Sequence, residues 1–211
     1  MKSIAVGLQA ETLTPFAYHS LMIQGGTATL PELIGDRALA FGLAASLGLL
    51  AARVALPEKD YRRDMTAMPW RTSVLMTTEP RLLPPLIRRL NLDAEGGFPE
   101  KVHSASSRGN MKDFFLTQEV PPGVRFTGAI FGFDPFAETG RTELVIRIGL
   151  HRNGMVRLTR ARDVSEVRLN AATAGQIFQR ELPVERYLLH GLQLTPFMSI
   201  AEALQEVLAW K

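Results

Sequence analysis

Short runs of alternating and continuous apolar residues dominate this chain, with two longer helical periods among them. Ser3 to Ala10 (SIAVGLQA) carries β-branched and small apolar residues and reads as a core strand, interrupted at Thr14-Pro15. Phe16 to Ile23 reads as a second extended piece ended by Gly25-Gly26. From Asp36 the period changes. Leu39, Leu43, Leu47 and Leu50 share one face, and Ala or Gly at 40, 42, 44, 45 and 48 permits close approach. The pattern predicts a buried helix capped by Asp36 and running through Leu50.

The stretch from Leu56 to Gly97 is broken by prolines. Within it Trp70 to Thr78 reads as a strand, and Leu82 to Leu90 as a short helix begun at tandem prolines. Phe98 to Lys112 reads as a polar, basic loop. Phe114 to Val120 and Val124 to Phe133 read as strands joined by a Pro121-Pro122-Gly123 turn. Leu144 to Leu150 and Met155 to Arg160 form a hairpin pattern around Asn153-Gly154. A helix is expected near Ala171 to Arg180 and a strand over Arg186 to Thr195. A last helix has Ser199 as cap, Glu202 three residues on, and Leu204, Val207 and Leu208 on one face. Hairpins outnumber crossovers, so the fold class is α+β with an antiparallel sheet, which a ferredoxin-like split core with an elaborated middle would fit.

Composition narrows the chemistry. The 211 residues suit one domain, and 46% hydrophobic with 21% charged residues excludes wholesale disorder. There is no cysteine, which excludes disulfides, thiolate metal sites and cysteine nucleophiles, and is compatible with a cytoplasmic setting. No secretory signal is read at the start. The longest apolar run, Ala38 to Ala52, is shorter than the roughly twenty residues a membrane span needs, so a soluble protein with no membrane partner is expected. Of 24 basic residues only five are Lys. Arginine forks onto phosphates and stacks on bases, which suits RNA; a GC-rich genome gives the same bias without any function.

Enzyme signatures are missing: no phosphate-cradling GxxxxGK[ST], no GxGxxG after a strand, no HExxH and no GxSxG. No cofactor and no metal site is expected. His19, His103, His151 and His190 are scattered, and ordinary structural roles are expected for them. Three constellations remain. His103, Ser106, Ser107, Arg108, Asn110 and Lys112 lie in one polar loop. That loop would grip phosphates, supply a ribonuclease base in His103, or be plain surface. Tyr61, Arg62, Arg63, Trp70 and Arg71 interleave aromatic and cationic groups, the mixture that stacks unpaired bases; Trp70 is equally well a core residue. Arg147, Arg152, Arg157, Arg160 and Arg162 surround the Asn153 hairpin, as an anion surface or as edge charge that deters strand pairing. Glu138 with Glu143 and Glu181 with Glu185 read as solvated surface.

The run Tyr18 to Leu49, with DRALAFGL at Asp36 to Leu43, resembles the helix entry of the 5′-handle-binding subunits of multisubunit CRISPR effector complexes. These form the CRISPR-associated protein 5 family of the RAMP superfamily. PWRTS at Pro69 to Ser73, SSRGNMKDFF at Ser106 to Phe115 and VIRIGLHRNGMVRL at Val145 to Leu158 are similar to the small divergent members of type IV systems, with type I-D as second choice. The superfamily's glycine-rich C-terminal loop is reduced to Gly191 in LLHGLQL, which argues against a cleaving role.

The resemblance implies a single ferredoxin-like (RRM-like) RAMP domain over 1–211, with an inserted thumb and basic loop region at about 56–118. The thumb would fall in Glu58 to Arg71, and His103 to Lys112 would line the handle. It further implies a non-catalytic subunit that binds the 5′ handle of the crRNA and caps the filament of backbone subunits. Such a subunit contacts the large subunit, with target DNA nearby, in antiviral or anti-plasmid defence. The alternatives are a metal-free endoribonuclease that matures crRNA with His103 as base, and a protein-only scaffold that docks through the helix from Asp36.

Overall fold

The computed structural model describes residues 2–23, 26–48, 60–89, 114–148 and 154–210; residues 87–89 and 114–115 are described by their backbone. The first strand forms as β1 (Ala5–Thr12) at the middle of the main sheet. It is antiparallel to β9 (Arg125–Phe131) on one side and to β11 (Met155–Arg160) on the other. The hairpin partner β10 (Glu143–Arg147) extends the sheet beyond β11. On the far side β9 pairs with β5 (Arg71–Thr72) and β6 (Leu75–Met76), and β6 pairs with β4 (Leu33–Ile34). The order is β10-β11-β1-β9-β6-β4, with every pair antiparallel. The chain is thus α+β around an antiparallel sheet.

Register follows from the buried positions. Ala10 lies opposite Phe126 on one neighbour and Leu158 on the other, and all three are buried. A slip of one residue would turn this row to water, at about 1.5–3 kcal/mol for each large side chain. At the head of β11, Gly154 accepts from Ile148 N and has φ +83°, where a Cβ would fall on the carbonyl oxygen of Ile148; the turn residues 149–153 lie outside the described residues.

Helix α1 (Asp36–Ser46) lies against β10 and β5, with Ala38, Leu39, Ala40, Leu43 and Ala44 buried in the core. Its N-cap is Gly35, with no side-chain cap; the expected capping carboxylate of Asp36 is instead the first helical residue and turns inward. The apolar face that a scaffold role would use is buried from Ala38 to Ala44, while Leu50, at its expected end, lies outside the described residues. Helix α2 (Tyr61–Ala67) buries Met65 and packs on α4 (Ala171–Phe178), so this part of the expected thumb lies on the body. A short α3 (Pro135–Thr139), capped by Asp134, links β9 to β10.

A second sheet orders β2 (Ser20–Ile23), β3 (Gly26–Thr29), β8 (Phe114–Gln118) and β7 (Leu86–Arg89), with β3 and β8 parallel. The helix expected over Leu82 to Leu90 is therefore the strand β7. Tandem prolines suit a helix start, but they also suit extended chain, and β8 supplies the pairing. The single strand expected over Arg186 to Thr195 is a hairpin, β13 (Arg186–Leu189) and β14 (Leu192–Leu194), turned at His190-Gly191. Strands β12 (Glu166–Val167) and β15 (Met198–Ser199) pair beside α5 (Ile200–Leu208). The capping box of α5 forms as read: Glu202 N donates to Ser199 Oγ and Ser199 N to Glu202 Oε2. Among the described residues no helix is long and apolar enough to cross a membrane.

Candidate nucleic-acid interface

Arg37 leaves the first turn of α1 beside the N-terminus of α4, and α4 fixes its guanidinium. Nε donates to Thr173 Oγ1 at 3.1 Å and Nη2 to Gln176 Oε1 at 2.8 Å. Nη1 has no hydrogen-bond partner among the described residues. It lies 4.0 Å from where a Cβ on Gly191 would stand, and that is the nearest atom Gly191 has there. Gly191 has no left-handed φ and no crowding neighbour, so neither backbone nor packing demands a glycine. What the missing side chain leaves is open backbone next to an oriented guanidinium, an arrangement suited to an anion.

Asn170 holds this turn in place. Its Nδ2 donates to the Gly191 carbonyl (3.0 Å) and to Asp36 Oδ1 (2.8 Å), and its Oδ1 accepts from Gln193 N (3.0 Å) and Ala172 N (3.1 Å). One side chain thereby ties α1, α4 and the β13–β14 turn together. Burial holds the Asp36 carboxyl above the usual carboxylate range, against the lowering pull of its Thr173 and Asn170 hydrogen bonds.

A groove of about 590 Å³ opens between these elements, large enough for one or two nucleotides. Phe41 and Tyr61 form one aromatic wall, edge to face at 5.6 Å, with Tyr61 51% exposed. Tyr18 and His19 form another at 4.0 Å. Burial, then Asp36, pushes the Tyr18 phenol up to about 12, so it keeps its proton as a donor. Burial, then Arg37, pulls His19 down to about 4, so its ring is neutral at neutral pH.

Arg37 and Arg147 bring positive charge to the lining, Asp60 and Asp64 negative. The acids are engaged: Asp60 caps α2 by accepting from Arg63 N at 2.9 Å, and Asp64 pairs with Arg63 at 2.8 Å. Among the described residues Arg37 and Arg147 have no carboxylate partner.

Of the residues singled out from the sequence, Tyr61, Arg62 and Arg63 are exposed on α2, and Tyr61 lines the groove. Trp70 and Arg71 require a correction. Trp70 is 1% exposed, packed at 5.1 Å against Phe133, and is a core residue. Arg71 is 7% exposed and lies over the Phe178 ring at 4.4 Å. Its Nη1 donates to the carbonyls of Met68 (2.8 Å) and Trp70 (2.7 Å), and burial pulls its pKa to about 10. Neither side chain is offered to a ligand. His103, Ser106, Ser107, Arg108, Asn110 and Lys112 lie outside the described residues.

In the hairpin constellation Arg157 is held by Glu143 and Glu11 and Arg160 by Asp134, Arg162 is exposed away from the groove, and Arg147 lines it; Arg152 lies outside the described residues. Sequence reasoning passed over Arg37, Tyr18 and Phe41. The signal available for Arg37 was its place beside Asp36 at a helix entry, where a first-turn cation opposes the helix dipole and asks for another reason.

No family model matches the chain, and no curated protein matches it. Among solved structures it is similar to a chain of a type IV-B CRISPR complex, at 12% identity and TM-score 0.40, over 76% of this chain and 91% of that one. It is also similar to a chain of the type III-B Cmr-beta complex bound to cognate target RNA and AMPPnP, at 9% identity and TM-score 0.43, over 92% of this chain and 83% of that one.

Proposed function

We propose that this chain is a non-catalytic RNA-binding subunit of a multisubunit CRISPR effector ribonucleoprotein. In this reading it holds the 5′ handle of the crRNA and caps the filament of backbone subunits, next to the large subunit and the target DNA. A type IV complex is the first choice and a type I-D complex the second. The sequence resemblance motivates the assignment. The sheet order supports it: β1 lies between β9 and β11, with β6 beyond β9 and α1 following β1 in the chain, as a ferredoxin-like reading asks. The connection from β9 to β11 departs from that plan, being a five-residue helix and a hairpin strand.

The observation that carries the reading is the partnerless Nη1 of Arg37 beside the open backbone of Gly191, in a groove walled by the exposed ring of Tyr61. Arg37 takes one phosphate in the space that Gly191 leaves open, Arg147 a neighbouring one, and Tyr61 stacks a splayed base. Arg62, which has no side-chain partner among the described residues, and Arg63 draw the strand in. The resemblance adds His103, Ser106, Ser107, Arg108, Asn110 and Lys112 as further handle contacts.

With Arg37, Arg147, Arg62, Arg108 and Lys112 as phosphate contacts, the log of the RNA affinity should fall with log salt at a slope of about −3.5. The full chain titrated with the single-stranded repeat-derived 5′ segment at several salt concentrations checks this. A salt-independent affinity, or no binding, contradicts it. Labelled repeat RNA incubated with the chain and chelator should stay intact; site-specific cleavage lost in His103→Ala would overturn the non-catalytic assignment.

A further inference from the structure

Gln176 is an exposed residue of α4 that does not line the groove, yet it joins two of its walls. Its Oε1 accepts from Arg37 Nη2 at 2.8 Å, and its Nε2 donates to the His190 carbonyl at 3.3 Å, in the turn that carries Gly191. The His190 ring nitrogen Nε2 lies 3.4 Å from the same amide nitrogen. Gln193 Nε2 also reaches the His190 carbonyl, at 3.2 Å, and Asn170 holds the Gly191 carbonyl, so the turn has other anchors. The guanidinium has one other anchor, Thr173 Oγ1. With that bond alone it can swing about Nε, and the direction of Nη1 is no longer set.

We infer that Gln176 is a positioning residue for anion binding: it aims the Arg37 guanidinium at the Gly191 backbone without touching the RNA phosphate itself. The inference rests on the groove reading above and adds the residue that sets its geometry. Arginine loses rotamer freedom when it grips a phosphate, and an arginine already held by two hydrogen bonds has lost much of it beforehand. Removing the Gln176 arm should therefore weaken RNA binding although nothing in the contact surface changes.

The test uses the full chain and a short single-stranded RNA. Gln176→Met keeps length and removes both polar arms, and Gln176→Ala is a second variant that cannot clash. Either should lower RNA affinity about tenfold with little change in melting temperature. In an Arg37→Ala background the same substitution should cost nothing further, because the residue it positions is gone. The Arg37 Nε–H NMR signal, sharp in the parent chain, should broaden in Gln176→Met. Parent-level affinity in both Gln176 variants, or a loss that multiplies with Arg37→Ala, overturns the positioning role while leaving the groove in place. Failure of the parent chain to bind RNA, or binding unaffected by Arg37→Ala, overturns the groove reading itself.

Discussion

Two regions of this protein pair arginine with aromatic rings, and they face opposite ways. At the start of β5, Arg71 lies on Phe178 beside Trp70, with Nη1 donating to two backbone carbonyls. At the start of α1, Arg37 stands in a groove with Tyr61 and Phe41, fastened through Nε and Nη2 by side chains of α4. Residue types are nearly the same; the partners differ. Local carbonyls tie Arg71 into the body of the protein, whereas Thr173 and Gln176 aim Arg37 and leave Nη1 for something else. An arginine–aromatic cluster becomes a binding surface only when the neighbours orient the guanidinium without using it up.

The sharpest separation should come from Trp70→Ala. Deleting a fully buried indole costs about 3–5 kcal/mol of stability, read by urea denaturation. The folded fraction should still bind RNA as the parent does, and a direct loss of affinity would return Trp70 to the interface. Asn170→Ala comes next, because it strips partners from Asp36, Gly191 and Gln193 at once. About 2–4 kcal/mol of stability should be lost, and RNA affinity with it as the turn loosens. An unchanged melting curve would contradict the hub role.

His19 sharpens the comparison through pH. Its pKa is near 6.5 in the unfolded chain and about 4 in the folded one, with burial as the main cause. Between those values the unfolded chain takes up a proton that the folded chain refuses. The stability contributed, up to about 3 kcal/mol, is complete above pH 6.5 and is lost as pH falls through about 4. Asp36, raised by burial, has the opposite sign: its contribution is present below its unfolded pKa and is lost as pH rises through its folded one. His19 has φ +50°, a conformation asparagine tolerates, so His19→Asn removes the titration without imposing new strain. Its denaturation midpoint should fall less than the parent's between about pH 7 and about pH 4.5, and an equal fall would contradict the assignment. The smallest effect belongs to Tyr61→Ala, which should weaken single-stranded RNA binding by about 1–3 kcal/mol and leave stability nearly untouched, given its exposure.

Elements set by local chemistry were legible in the sequence. The strand β1, the hairpin at Gly154 and the capping box at Ser199 and Glu202 follow from alternation, a left-handed glycine and a reciprocal cap. Elements set by distant partners were not. β7 depends on pairing with β8 far along the chain, and the turn at His190-Gly191 that folds Arg186 to Thr195 back is held by Asn170 from 21 positions away. Asp36 has the composition of a cap, but Asn170 draws it inward from 134 residues away. The interface shows the same divide. Tyr61, Arg62 and Arg63 were legible as interleaved aromatic and cationic groups, but the helix α2 that carries them was not. Composition could not separate Trp70 and Arg71 from them, since burial is decided by Phe133 and Phe178. Arg37 was missed because the residues that aim it, Thr173 and Gln176, lie 136 and 139 positions on.

The most direct measurement sets the two arginines against each other in the same pair of assays. Arg37→Ala should lower affinity for single-stranded RNA about ten- to a hundredfold and shift stability little. Arg71→Ala should lower stability by about 1–3 kcal/mol and leave the affinity of the folded protein unchanged. If Arg37→Ala binds RNA like the parent while Arg71→Ala loses binding at full stability, the groove is not the interface.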